Sequence, residues 1–196
     1  MKIILWNQKG GVGKSIYSIQ IALYFDATII ELDPYGVLTK TLDKDRVYKV
    51  DLKDDAPTIS EGDVVYDFGG FDDARLNKVS QDADLIIIPF NPTINALGTT
   101  LESYKRAKEQ NIPILFIANA YIKEQDVTDA IEYIEEITGD EIEYFQVPHT
   151  RALQSAENEG TSIIDLATNS TGIKKHAYKK ISNTMQELMN KIKEYI

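Results

Sequence analysis

The segment Gln8-Lys9-Gly10-Gly11-Val12-Gly13-Lys14-Ser15 constrains this chain more than any other. It follows the apolar run Lys2–Asn7 and opens a stretch of helical period at Lys14–Tyr24. A strand feeding a glycine-rich loop and then a helix is the context that makes such a pattern an anion cradle. Gly10, Gly11 and Gly13 open backbone torsions closed to other residues, so successive N–H groups can curl around an anion. The helix start near Lys14 adds its partial positive charge. In a loop of this kind Lys14 reaches the β- and γ-phosphates of a nucleotide, and the Ser15 hydroxyl ligates Mg²⁺. The alternative is a glycine-rich turn that happens to contain lysine. The G-K-S triplet between strand and helix argues against it.

The rest of the chain reads as a scaffold for that loop. Further strands are expected at Thr28–Leu32, Val64–Asp67, Leu85–Pro89, Ile114–Asn119 and Glu143–Val147, most of them continuous Ile/Val-rich runs of the type buried on both faces. Between them lie helical patterns at Asp72–Gln81, Leu97–Glu109, Glu124–Ile137 and Arg151–Asn158, with a last one from about Ile173 to Tyr195. This alternation predicts an α/β fold, a mostly parallel twisted sheet flanked by helices on both faces. The least legible stretch is Val37–Asp63, Asp-rich and broken by Pro57, with Tyr48–Leu52 as a further short strand. At 196 residues the chain is read as a single domain, 1–196. Zero cysteines exclude thiolate metal sites, iron–sulfur clusters and cysteine nucleophiles, and two scattered histidines argue against a histidine metal site. A net charge of −10 argues against a surface that grips nucleic acid all over, though not against a local basic patch. The N-terminus has too few apolar residues for a secretory leader, and no run suits a membrane helix. A cytoplasmic location and no membrane partner are therefore expected; nucleoid association is an expectation of the DNA reading given below.

The loop departs from G-x-x-x-x-G-K-[ST] by placing Gln8 and a second lysine, Lys9, ahead of the glycines. This K-G-G-x-G-K-[ST] form resembles the deviant Walker A motif of the ParA/MinD family of ATPases, which are P-loop NTPases. The resemblance implies that ATP and Mg²⁺ bind here, and that two subunits close face to face around the nucleotide. Lys9 then touches phosphates held by the partner, a cation where charge develops during phosphoryl transfer. It also makes Gly10, Gly11, Val12, Gly13, Lys14, Ser15 and Ile16 the nucleotide-contacting segment. Ile16 stands where the family commonly has a second hydroxyl, so that contact to the α-phosphate is missing.

Further residues carry the resemblance down the chain. Glu31-Leu32-Asp33-Pro34-Tyr35-Gly36 is similar to the family's D-x-D-P-Q-G segment, which implies that Asp33 positions the attacking water; Glu31 and Tyr35 are departures. Asp-Pro is also an ordinary turn starter. Val64-Val65-Tyr66-Asp67-Phe68-Gly69-Gly70 resembles a Walker B segment, which implies that Asp67 holds Mg²⁺; its other reading is a helix-capping aspartate. The strand ending at Asn119 matches the family's adenine-reading asparagine, whose amide both donates and accepts. Val147-Pro148, with Ala156 and Gly160 beyond, is similar to the loop that closes over the base. Pro148 is thus either a base contact or a simple strand terminator.

Charge is unevenly placed. From Thr171 to Ile196 six lysines face two glutamates, leaving +4 there and −14 elsewhere. Such asymmetry suggests an anionic partner. The resemblance implies nonspecific DNA, with Lys174, Lys175, Lys179 and Lys180 as the candidates; the competing reading is a solvated lysine face on a docked helix, whose stripe would be Ile181, Met185, Leu188 and Ile192. The resemblance as a whole implies a ParA-like partition ATPase. Its hydrolysis would be slow and stimulated by a centromere-binding, ParB-like adaptor. A MinD-like ATPase that positions membrane or cell-division cargo, a small-molecule ligase of the same superfamily and a nucleotide switch that barely hydrolyses are the alternatives.

Overall fold

The computed structural model describes all of residues 1–196. Seven strands form one sheet: β1 (Lys2–Leu5), β2 (Thr28–Glu31), β3 (Val47–Lys49), β4 (Val64–Asp67), β5 (Leu85–Phe90), β6 (Ile114–Tyr121) and β7 (Tyr144–Pro148). Their order is β3-β2-β4-β1-β5-β6-β7, with every pair parallel. The strands alternate with helices α1 (Lys14–Phe25), α2 (Leu38–Thr41), α3 (Leu76–Val79), α4 (Ile94–Lys108), α5 (Glu124–Thr138), α6 (Ala152–Asn158), α7 (Ile163–Asn169) and α8 (Gly172–Ile192). Parallel strands need such crossovers, and the helices then bury both faces of the sheet.

The two-residue period of a strand sorts its side chains into two cores. Ile3 and Leu5 of β1 join Ile29, Val65 and Ile87 under α1, α6, α7 and α8. Ile4 and Trp6 join Ile30, Tyr66 and Ile88 under α3, α4 and α5. Trp6 is fully buried, and its ring N–H donates to the Ser103 carbonyl of α4 at 3.0 Å. Nothing polar is left stranded there, as a buried indole requires. The apolar stripe of α8 faces the first core: Ile181 is 4% exposed, and Met185, Leu188 and Ile192 are all at 0%. That stripe is accordingly core.

Several element boundaries differ from expectation, each for a local reason. The helix expected over Asp72–Gln81 shrinks to α3 followed by a 3₁₀ turn at Ser80–Asp82. Asp73 and Arg75 form a buried ion pair at 2.6 Å, and Asp73 Oδ1 accepts the Arg75 N–H, so this stretch folds on its own side chains. The short strand is Val47–Lys49 instead of Tyr48–Leu52. Helix α7 had no counterpart in the sequence reading, although Ser162 and Asp165 carry a cap signature: the Ser162 hydroxyl accepts the Asp165 N–H at 3.0 Å.

Candidate nucleotide-binding site

An all-parallel sheet delivers every strand's carboxyl end to one edge, and the ligand crevice of such folds opens there. The strand order fixes what meets what. The loop after β1 is central. Asp67 at the end of β4 and Asp33 just after β2 stand on one side of it. Asn119 in β6, Pro148 ending β7, and α6 stand on the other. A cavity of about 420 Å³ opens along this edge, lined by Gly10, Gly11, Gly13–Ile16, Asp33, Gly70, Asn91, Asn119, Pro148 and one face of α6. Val12 lies outside this lining: its side chain is buried, and the loop uses only its carbonyl. Lys9 is likewise not part of the cavity wall.

The loop adopts a cradle. Gly11 (φ 76°) and Gly13 (φ 103°) occupy left-handed torsions. Gly13 is doubly required, since a Cβ there would stand 2.6 Å from Asn119 Nδ2. Gly70 is pressed against the loop from the other side, with a Cβ position 2.8 Å from the Gly10 nitrogen. Lys14, 6% exposed, folds back and donates to the carbonyls of Asn7 (2.8 Å) and Lys9 (2.9 Å). Burial lowers its pKa, and the nearby Asp67 and Asp33 carboxylates partly offset that. The ammonium keeps a third N–H for an incoming oxygen.

Below the loop, Asp67 is fully buried. Its Oδ2 accepts from the Ser15 hydroxyl at 2.8 Å, and its Oδ1 accepts from Ser18 at 2.8 Å. Desolvation pushes its carboxyl up to about 6, against the pull of both serines and of Lys14. A hydroxyl and a carboxylate oxygen in contact beside this loop are hard donors of the type Mg²⁺ accepts. This donor set fits the ion. Asp33 lines the cavity on a turn, where its Oδ1 accepts the Tyr35 N–H at 2.9 Å.

At the far end, the Asn119 amide is half engaged. Its Nδ2 donates to the Val12 carbonyl at 2.7 Å, and its Oδ1 accepts from the Tyr17 hydroxyl at 2.8 Å. One N–H and one lone pair remain for a base edge. Burial raises the Tyr17 pKa, which keeps the phenol a donor. Ala120, beside it, adopts a left-handed φ of 56° where the β6–β7 register slips. Pro148 lines the cavity. Sequence reasoning did not anticipate Asn91, His149, Thr150, Leu153, Gln154 or Glu157 in the wall. The last three follow helical spacing on α6, a signal that periodicity alone could have given. Lys174, Lys175, Lys179 and Lys180 lie apart from this cavity, exposed on the first turns of α8.

Comparisons with known proteins agree with this geometry. Residues 3–163 match the model of the CobQ/CobB/MinD/ParA nucleotide binding domain. Among curated proteins, none matches the sequence. A ParA family ATPase from Chlorobium tepidum superposes with a TM-score of 0.66 at 18% identity, covering 95% of this chain and 96% of the other. MinD from Aquifex aeolicus gives 0.61 at 18% identity, covering 96% of each. A plasmid partition protein from Borrelia burgdorferi, bound to AMPPNP, gives 0.59 at 16% identity over 97% of this chain and 98% of that one. At such identities the likeness speaks for the fold. With the family model covering most of the sequence, the chain belongs to the CobQ/CobB/MinD/ParA nucleotide-binding domain family.

Proposed function

We propose that this protein is an ATP-dependent partition motor: it binds ATP and Mg²⁺, closes into a nucleotide-sandwich homodimer, binds DNA without sequence preference, and hydrolyses ATP slowly to move plasmid or chromosome. The observation that carries this reading is the division of labour between two lysines of one loop. Lys14 is buried and tied to the loop's own carbonyls, as a residue serving the nucleotide of its own subunit would be. Lys9 is half-exposed, gives only its backbone to the loop and forms no ion pair within its own chain. A cation kept free at the mouth suits a phosphate that arrives with a second subunit. Tyr35 (90% exposed), Ile94 (87%) and Ile122 (82%) add an apolar rim at the same carboxyl edge, the type of surface that a partner covers.

Residue roles follow. Gly10–Gly13 and Lys14 bind the phosphates, Ser15 and Asp67 hold Mg²⁺, and Ile16 packs beside the loop. Asn119 reads the adenine edge and Pro148 packs on the base. When bound, Mg²⁺ neutralises charge across the β- and γ-phosphates. Asp33 orients the attacking water, and Lys9 of each subunit stabilises charge developing on the γ-phosphate held by the other. A ParB-like adaptor stimulates this step. Lys174, Lys175, Lys179 and Lys180 supply the DNA surface: they extend from a helix whose apolar stripe is already buried, which leaves that stripe unavailable to a bilayer. No helix is long and apolar enough to cross a membrane.

Sedimentation with ATP, ADP or no nucleotide, with and without duplex DNA, tests the proposal. An ATP-specific dimer, lost in Lys9→Ala, that co-sediments with DNA at low salt is expected. A monomer in every nucleotide state refutes the sandwich; an ATP dimer that ignores DNA and instead pellets with anionic vesicles transfers the reading to MinD-like membrane cargo.

A further inference from the structure

The turn that carries Asp33 is held from beneath by a carboxylate that takes no part in the cavity. Glu31 ends β2 and is fully buried. Its Oε1 accepts the Leu38 N–H at 2.8 Å. Its Oε2 lies 3.6 Å from Lys49 Nζ and has no hydrogen-bond partner. Lys49, at the end of β3, donates to the Gly36 carbonyl at 2.6 Å. Gly36 rests so closely on this carboxylate that a Cβ there would collide with Glu31 Oε1.

These contacts fix one end of a short span. The Gly36 N–H closes the Asp33 turn on the Asp33 carbonyl at 3.1 Å. At the other end, the Leu32 N–H bonds the Asp67 carbonyl at 2.8 Å, and the Leu32 carbonyl accepts from Arg75 Nη2 at 2.8 Å. Asp33 is therefore carried on a turn anchored on both sides, with only Tyr35 and Val37 left exposed. A buried carboxylate with one orphan oxygen is an expensive way to fill space, and an apolar residue would pack there at lower cost. What an apolar residue could not do is draw Lys49 across from β3 and take the Leu38 N–H.

We infer that Glu31 and Lys49 form a clamp that positions Asp33 for hydrolysis, making Glu31 a positioning residue that never meets the nucleotide. The inference rests on the proposed role of Asp33 as the carboxylate that orients water. It expects the chemical step, and not nucleotide binding, to depend on the clamp.

Single-turnover ATP hydrolysis and fluorescent-ATP affinity should be measured for Glu31→Gln, Lys49→Met and Asp33→Ala, together with hydrogen exchange over residues 32–38. Misplacing a reacting group by about 1 Å can cost about a hundredfold, so Glu31→Gln and Lys49→Met should each slow turnover by roughly ten- to a hundredfold. Both should leave nucleotide affinity within about twofold and speed exchange across the turn. Lys49→Met alters a half-exposed residue, so it reports even if Glu31→Gln fails to fold. If Asp33→Ala is inactive but both clamp variants turn over at the parental rate, the clamp is refuted and the Asp33 reading survives. If Asp33→Ala hydrolyses ATP normally, both fall together.

Discussion

Replacing Asp67 by asparagine should stabilise the nucleotide-free protein while abolishing its use of Mg²⁺. Asp67 is fully buried, and its carboxyl is displaced from 3.8 to about 6. At roughly 1.4 kcal/mol per pKa unit, holding it ionised at neutral pH costs about 3 kcal/mol. Asparagine has the same shape. Its oxygen can accept from one of Ser15 and Ser18, and its amide can donate to the other once that hydroxyl turns, so no polar atom need be stranded. The sign follows from the direction of the shift. The folded-state pKa lies above the ordinary value, so the fold binds this proton more tightly than the unfolded chain does. The parental penalty therefore grows as pH rises from about 4 to about 6 and is complete above that range. Urea unfolding in EDTA should find Asp67→Asn more stable by about 1–3 kcal/mol at pH 7.5, with the advantage roughly halved at pH 5. Saturating Mg²⁺-ATP should reverse the ranking, because only the parent gains binding free energy through the metal. A variant no more stable than the parent at pH 7.5, or a gap equal at both pH values, would refute the reasoning that buried charge is tolerated here for the ion.

Other perturbations probe separate parts of the site. Gly13→Ala places a Cβ 2.6 Å from Asn119 Nδ2 at a φ of 103°, so ATP affinity should fall by at least about tenfold, as calorimetry would show. Gly70→Ala would meet the Gly10 backbone at 2.8–2.9 Å and should weaken ATP binding likewise, unlike Gly98→Ala, where the space is open. Ala120→Gly relieves a left-handed φ of 56° and should raise stability by about 0.5–1 kcal/mol in chemical denaturation. Lys174→Glu with Lys175→Glu should weaken DNA binding uniformly across sequences and lower the log–log salt slope by about 2, leaving ATP hydrolysis without DNA unchanged.

The loop was legible because its chemistry is local: strand, glycines, lysine, serine and helix are contiguous, and each acts through backbone geometry that neighbouring residues dictate. The doubly covered sheet was legible for a related reason, since runs such as Leu85–Ile88 have no polar face to turn towards water. What stayed hidden was decided by long-range competition. The stretch after Asp72 has helical composition, yet the buried Asp73–Arg75 pair and the Arg75 bond to Leu32 captured it. Residues Val37–Asp63 offered no pattern, because their contacts are with residues distant in sequence: Lys49 reaches Glu31 on β2, Val50 and Ala56 enter the second core, and the Pro57 carbonyl accepts from Tyr66. Sequence by itself determined that a glycine-rich loop carrying two lysines would sit at the start of a helix in a parallel α/β fold. Only the tertiary structure decided which side chains complete it, among them Tyr17 on Asn119, Gly70 against the loop and the α6 face over the far end of the cavity. Those partners are distant in sequence, and the strand order alone brings them to one edge.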